Sequence, residues 1–120
     1  MDKKRILLID DDKELCEEMG ELLESEGFSA TCVTNAVKGE VLIKNGNFDI
    51  VIMDYKMTGM TGVDILKKLK NKNIKSNIIL VSGRPFIEKT LVEEDLEGMV
   101  KYVIPKPINF EELFSKLHSL

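Results

Sequence analysis

The chain is predicted to fold as an α/β protein, a doubly wound parallel sheet of five strands wrapped by five helices. Three observations predict it. The apolar runs Ile6-Leu7-Leu8-Ile9, Ile50-Val51-Ile52-Met53 and Ile78-Ile79-Leu80-Val81 are continuous rather than alternating, as expected of strands buried on both faces of a parallel sheet. Longer amphipathic stretches separate them from end to end, and strands alternating with helical patterns are the mark of βαβ units. Four apolar runs also stop at reactive polar residues: Asp10-Asp11-Asp12, Asp54, Ser82, and Lys106 after Tyr102-Val103-Ile104-Pro105. Right-handed crossovers bring the carboxyl ends of parallel strands to one edge, where open α/β sheets place their ligand site.

The elements follow in order. Lys3-Lys4-Arg5 is a solvated lead-in to the first strand. Leu15, Met19, Leu22 and Leu23 mark one face of a helix that closes near Gly27. Phe28 to Val33 alternates and is rich in small or β-branched residues, a second strand. Thr34 or Asn35 can cap a helix carrying Val37, Val41, Leu42 and Ile43 and stopping at Asn45-Gly46. After the strand that ends at Asp54, Tyr55 to Gly62 reads as a loop with two glycines, and Thr61 as the cap of a helix bearing Val63, Leu66 and Leu69. The fourth strand ends at Ser82-Gly83. Pro85 then opens a weaker helical segment with Phe86, Ile87, Leu91, Val92 and Leu96, broken by Gly98 before the fifth strand. Lys106-Pro107 forms a turn, and Asn109 caps a last helix with Leu113 and Leu117 inward.

With 120 residues, one domain over 1–120 is expected, large enough for a core on both faces of a sheet. Apolar residues at 43% and charged residues at 32% are the balance of a soluble globular protein rather than a disordered one. The net charge of −4 argues against broad nucleic-acid affinity through phosphate contacts. No apolar run reaches the length of a membrane span and none reads as a signal peptide, so a cytoplasmic protein without direct nucleic-acid or membrane partners is expected. Cys16 and Cys32 sit in apolar patterns without metal-binding spacing and read as reduced, buried thiols. His118, the single histidine, has no second histidine with which to build a metal site or a triad.

The strand endings carry the chemistry. Asp10, Asp11 and Asp54 brought together repel one another, and a hard divalent cation such as Mg²⁺ relieves that repulsion. Lys106 offers a point charge for a phosphoryl oxygen and Ser82 a hydroxyl donor. No histidine, cysteine or activated serine is placed to act as a nucleophile, which leaves Asp54 as the candidate for covalent phosphorylation. Each residue alone has a plainer reading: Asp10 to Asp12 as helix caps, Ser82 as a turn residue, Lys106 as a surface lysine. Their order on one edge favours the joint reading. Lys56 and Arg84 flank the site, either as solvated loop charges or as lining for the path of water or phosphodonor.

These residues resemble the receiver domain of two-component response regulators over essentially the whole chain. The strongest pieces are Arg5 to Asp12, Asp49 to Asp54 with Met57 to Gly62, and Lys106-Pro107. The resemblance implies the flavodoxin-like strand order 2-1-3-4-5. It implies that Asp54 accepts a phosphoryl group from a sensor histidine kinase or histidine phosphotransfer protein, in a phosphorelay or a simpler two-component pathway. It implies Mg²⁺ held by Asp11 and Asp54 directly, by Asp10 through water and by the backbone carbonyl of Lys56. Lys106 would pair with the phosphoryl group and Ser82 would move to hydrogen-bond it, with a cis bond before Pro107. Phosphorylation would switch the surface of the fourth helix, fifth strand and fifth helix to control a downstream partner or an output domain beyond this chain, as a monomer or as a phosphorylation-dependent dimer.

This sequence departs from the family pattern at several positions. Thr58 stands where proline is usual, removing a φ constraint, so the loop is expected to be more mobile. Gly83 replaces a common alanine after Ser82 and is expected to loosen the hinge and open the approach to Asp54. The position three before the lysine, usually a switch aromatic, is Val103; Tyr102 lies one residue earlier and so on the opposite side of the strand. The stretch from Ser82 to Lys106 is slightly long, at the fourth helix. The chain is expected to be a switch and not an enzyme. The alternatives are a Mg²⁺-dependent phosphohydrolase with an aspartyl nucleophile, disfavoured because Lys56 stands where its second acid belongs, and a pseudo-receiver that signals without phosphate.

Overall fold

The computed structural model describes residues 3–120; Met1 and Asp2, part of the domain expected over 1–120, lie outside the described residues. In chain order the elements are β1 (Arg5–Ile9), α1 (Lys13–Ser25), β2 (Ser29–Val33), α2 (Ala36–Lys44), β3 (Ile50–Asp54), β4 (Lys56–Met57), β5 (Met60–Thr61) and α3 (Gly62–Leu69). They continue with β6 (Asn77–Ser82), α4 (Ile87–Glu93), a 3₁₀ turn (Glu97–Met99), β7 (Tyr102–Pro105) and α5 (Phe110–His118). Five strands pair in parallel in the order β2-β1-β3-β6-β7. This is the expected 2-1-3-4-5 order, since the two short strands β4 and β5 form a separate antiparallel hairpin.

Alternation along each strand divides the core in two. Leu7, Ile9, Val51, Met53, Ile78 and Leu80 point to the face covered by α2, α3 and α4, where they meet Ile43, Ile65, Leu66 and Leu91. Ile6, Leu8, Ile50, Ile52, Ile79, Val81 and Ile104 point to the face covered by α1 and α5, against Cys16, Met19, Leu23, Leu113 and Leu117. The three central strands β1, β3 and β6 are thus buried on both faces, which is why their sequences carry no polar alternation.

Most caps lie where the residue types indicate. Asp12, Asn35, Thr61 and Asn109 each precede a helix and accept from a backbone N–H three residues on. Asn35, rather than Thr34, caps α2. Thr61 and Asp64 form a reciprocal capping box: the Asp64 N–H donates to Thr61 Oγ1 at 3.1 Å and the Thr61 N–H to Asp64 Oδ2 at 2.9 Å.

Several expectations are corrected. In α1 the buried residues are Cys16, Met19 and Leu23, while Leu22 faces outward. In α2 they are Ala36, Gly39 and Ile43, and Val37 and Val41 are exposed. The stretch Tyr55 to Gly62 is not a plain loop but holds the β4-β5 hairpin, with Lys56 opposite Thr61 and Met57 opposite Met60. Gly59 closes its turn at φ +78°, a left-handed conformation open to glycine at no steric expense. The fourth helix covers only Ile87–Glu93, and the chain turns out of it through Asp95, at φ +57°, before Gly98 is reached. Gly98 lies within the 3₁₀ turn.

Candidate functional site

Asp54 closes β3 with its side chain buried, 8% exposed, on the carboxyl edge of the sheet. Lys106, just past β7, reaches back to it, and its Nζ donates to Asp54 Oδ2 at 3.0 Å. Asp10 and Asp11 follow β1, the neighbouring strand, and one oxygen from each of Asp10, Asp11 and Asp54 lies within 4.8 Å of the others. The three residues serve different bonds. Asp10 Oδ1 accepts the Asp12 N–H at 2.9 Å, and Asp11 Oδ2 accepts both the N–H and the hydroxyl of Thr58, at 2.9 and 2.8 Å. The plain reading as a helix cap holds for Asp12, whose Oδ1 accepts the Leu15 N–H at 3.1 Å.

Charge is the dominant physical feature here. Burial raises the Asp10 pKa above the ordinary carboxylate value, partly offset by the Asp12 N–H and by Lys106, and the charges of Asp54 and Asp11 raise it further. A cluster of three carboxylates against one ammonium is short of positive charge. Its donor set is all oxygen, the set that hard divalent cations take. The residues therefore fit a cation of that class, with Asp10, Asp11 and Asp54 as its holders.

Ser82 ends β6 with its side chain buried, and its Oγ accepts the Arg84 N–H at 2.9 Å. The Ser82 carbonyl also accepts the Lys106 N–H at 2.9 Å, which holds the ends of β6 and β7 together. Beside them opens a cleft of about 490 Å³ lined by Asp54, Tyr55, Lys56, Thr61, Gly83, Arg84 and Lys106. Lys56 and Gly83 are exposed on its walls. A methyl group at position 83 would sit 3.6 Å from Lys106 Cβ, so glycine there leaves the lysine stem bare. The Arg84 guanidinium lies 5.5 Å from the centroid of the Tyr55 ring, a cation–π arrangement that keeps it over the cleft.

The structure brings together the sequence-predicted residues Asp10, Asp11, Asp54 and Lys106, with Lys56, Gly83 and Arg84 lining the same cleft, while Ser82 is buried at the end of β6 next to Gly83. The sequence points neither to Tyr55 nor to a bond between Thr58 and Asp11. Thr58, expected to sit in a mobile loop, is tied to Asp11 by two hydrogen bonds; the hydroxyl that makes one of them is visible in the residue type, but the fold alone aims it. Tyr102 and Val103 occupy opposite faces as their spacing requires. Tyr102 packs with the α1/α5 core under the Lys116 ammonium, 5.0 Å from its ring centroid, and Val103 packs with the other core. The Lys106-Pro107 bond is cis. Cys16 and Cys32 are free thiols, the Cys32 thiol donating to the Cys16 carbonyl at 2.8 Å, and burial raises the pKa of both. Among the described residues no helix is long and apolar enough to cross a membrane.

Known proteins resemble this chain in sequence and in fold. The chain is 28% identical to the transcriptional regulatory protein YkoG of Bacillus subtilis over 119 residues, 99% of this chain and 51% of that protein. It is 29% identical to the cell cycle transcriptional regulator CtrA of Caulobacter vibrioides over 116 residues, 97% of this chain and 49% of that protein. The chain thus spans about half the length of these relatives. Among solved structures, the receiver domain of the Francisella response regulator 1452 superposes with a TM-score of 0.85 at 25% identity, covering 98% of this chain and 95% of that one. The response regulator TrrA of Thermotoga maritima, solved in complex with Mg²⁺ and BeF, gives a TM-score of 0.80 at 27% identity and covers 97% of each chain. The pattern common to the response regulator receiver domain runs along this sequence from residue 6 to residue 118, and the chain belongs to that family.

Proposed function

We propose that the chain is a phosphorylation-controlled switch in which Asp54 accepts a phosphoryl group, and that it is not a turnover enzyme. One observation carries the reading: the buried Asp54 carboxylate, paired with Lys106 at 3.0 Å, shares a 4.8 Å cluster with Asp10 and Asp11 on the carboxyl edge. An Asp54 oxygen attacks phosphorus. The bond between phosphorus and the donor's histidine nitrogen breaks, and its electron pair leaves with the imidazole. Lys106 is already in place to hold an oxygen at that carboxylate, and Ser82 can move its hydroxyl to donate to a phosphoryl oxygen. Asp10, Asp11 and Asp54, with the backbone carbonyl of Lys56, would hold Mg²⁺. When bound, Mg²⁺ neutralises the carboxylates and the charge on the transferring group.

The donor would be a sensor histidine kinase or histidine phosphotransfer protein in the cytoplasm. The phosphoryl group would act on a downstream protein, or on an output domain, through the surface of α4, β7 and α5. Neither nucleic acid nor membrane is a direct partner in this reading. A phosphoryl group shifts the protein only by interacting better with one arrangement than with the other, and Ser82 and Lys106 supply that difference.

Incubation with acetyl phosphate and Mg²⁺, followed by intact-mass measurement, tests the assignment. The wild-type chain gains a single phosphoryl group, stoichiometrically and without sustained release of inorganic phosphate from generic phosphate esters; EDTA prevents the gain. Asp54→Asn gains none. Undiminished modification of Asp54→Asn refutes Asp54 as the acceptor, and sustained ester turnover refutes the switch.

A further inference from the structure

We infer that Thr58 is a positioning residue for the metal centre, a latch that holds the Asp11 carboxylate in its ligating pose and ties the β4-β5 hairpin to it. The inference rests on the reading of Asp10, Asp11 and Asp54 as the holders of a divalent cation. Asp11 is exposed and lies past the end of β1, so packing does not fix its side chain. Thr58 does: its N–H and its hydroxyl both donate to the same oxygen, Oδ2, at 2.9 and 2.8 Å. Hydrogen bonds to an ionised carboxylate are about twice as strong as neutral ones, and two on one oxygen define its direction. The second oxygen of Asp11 is then left to serve the cluster.

The hairpin makes the contact possible across 47 residues of sequence. With Met57 paired to Met60, Thr58 and Gly59 form the two-residue tip, which Gly59 closes in a left-handed conformation, and the hairpin brings both Thr58 donors to Asp11. A carboxylate already oriented loses less freedom when it binds a cation, and groups that orient metal ligands typically change metal affinity about 10- to 100-fold when removed. Asp11 is exposed and one substitution at Thr58 can spare the N–H donor, so a smaller effect is expected from loss of the hydroxyl alone.

Isothermal titration of the chain with MgCl₂, without phosphodonor, tests this through affinity rather than activity. Thr58→Val keeps the shape and the N–H but removes the hydroxyl, and weakens Mg²⁺ binding about threefold to tenfold. Thr58→Ser restores it. Thr58→Pro removes both donors and weakens binding further than Thr58→Val. The unfolding midpoint of Thr58→Val in EDTA stays with the wild type. Wild-type or tighter binding by Thr58→Val overturns the inference, as does failure of Thr58→Ser to restore affinity or a midpoint that falls in step with affinity. Failure of the wild-type chain itself to bind Mg²⁺ at millimolar concentration overturns the metal-centre reading beneath it, a result distinct from the others.

Discussion

Asp54, Lys106, Asp10 and Asp11 were legible as a site because each ends an apolar run, and a parallel sheet sends all such ends to one edge. What the residues do to one another was less legible. That Asp12 turns away to cap α1 while Asp11 turns toward Thr58 depends on side-chain directions that three adjacent aspartates do not reveal. Arg84 is a further case: as a lone loop cation it has no fixed place, but the Tyr55 ring beneath it holds it over the 490 Å³ cleft. Water that hydrolyses an aspartyl phosphate must enter through such a cleft, and excluding it slows hydrolysis. Arg84→Ala therefore shortens the half-life of phosphorylated protein by about threefold or more, and Lys56→Ala changes it by a smaller factor. Loss of label after removal of acetyl phosphate measures both. Unchanged half-lives in the two variants would remove these residues from the path.

At the scale of elements, strands and caps were legible and helix faces were not. Strands read cleanly because burial on both faces leaves no choice of side. A helix with apolar residues around much of its circumference offers several faces, and the sheet chooses. In α2 it takes Ala36 and Gly39 in preference to Val37 and Val41, because the helix lies so close to β1 that a Cβ at Gly39 would come within 2.7 Å of Ile9 Cδ1. Small residues read as weak core signals and in fact permit the closest packing. The α3 capping box gives a prediction with a definite sign. The Thr61 N–H donates to Asp64 and lowers its pKa below the ordinary value of 3.8. A folded-state pKa lower than the unfolded one adds stability that is full above the unfolded value and fades as pH falls through the folded value. Asp64→Ala should cost about 0.5–1 kcal/mol at neutral pH, in the lower range for caps because the group is exposed. Urea unfolding at pH 7 and at pH 2.5 measures it, the gap between variant and wild type narrowing at the acid end; a gap independent of pH would assign the effect to something other than the ionised cap.

Across the whole molecule, the stability of the parts sets the route by which a phosphoryl group at one edge would change a distant surface. The sheet is paired in register from β2 to β7, with its central strands β1, β3 and β6 buried on both faces beneath the site. The stretch between Ser82 and Tyr102 is the weak unit. Its helix α4 has seven residues, follows Phe86 at φ +63° with no side-chain cap, and buries only Ile87 and Leu91. By contrast α3 buries Val63, Ile65, Leu66 and Leu69 behind a full capping box. At roughly 1.5–3 kcal/mol for each buried aliphatic side chain, α4 is anchored by about half as much. Ser82 is joined to this unit directly, since its Oγ accepts the Arg84 N–H at 2.9 Å. Turning Ser82 toward a phosphoryl oxygen strains or breaks that bond at the mouth of the segment, where reorganisation costs least. Amide hydrogen exchange should therefore find residues 83–99 opening well before β3 and β6 in the unmodified protein. On addition of Mg²⁺ and beryllofluoride, a phosphoryl mimic, the largest change in protection should fall in the same stretch and include the Arg84 amide. Phe86, 80% exposed just before α4, and Val92, exposed along it, lie on this segment, so the proposed change would present or withdraw an apolar surface there. Exchange that responds uniformly across the sheet, or only around α1 and α2, would place the route elsewhere.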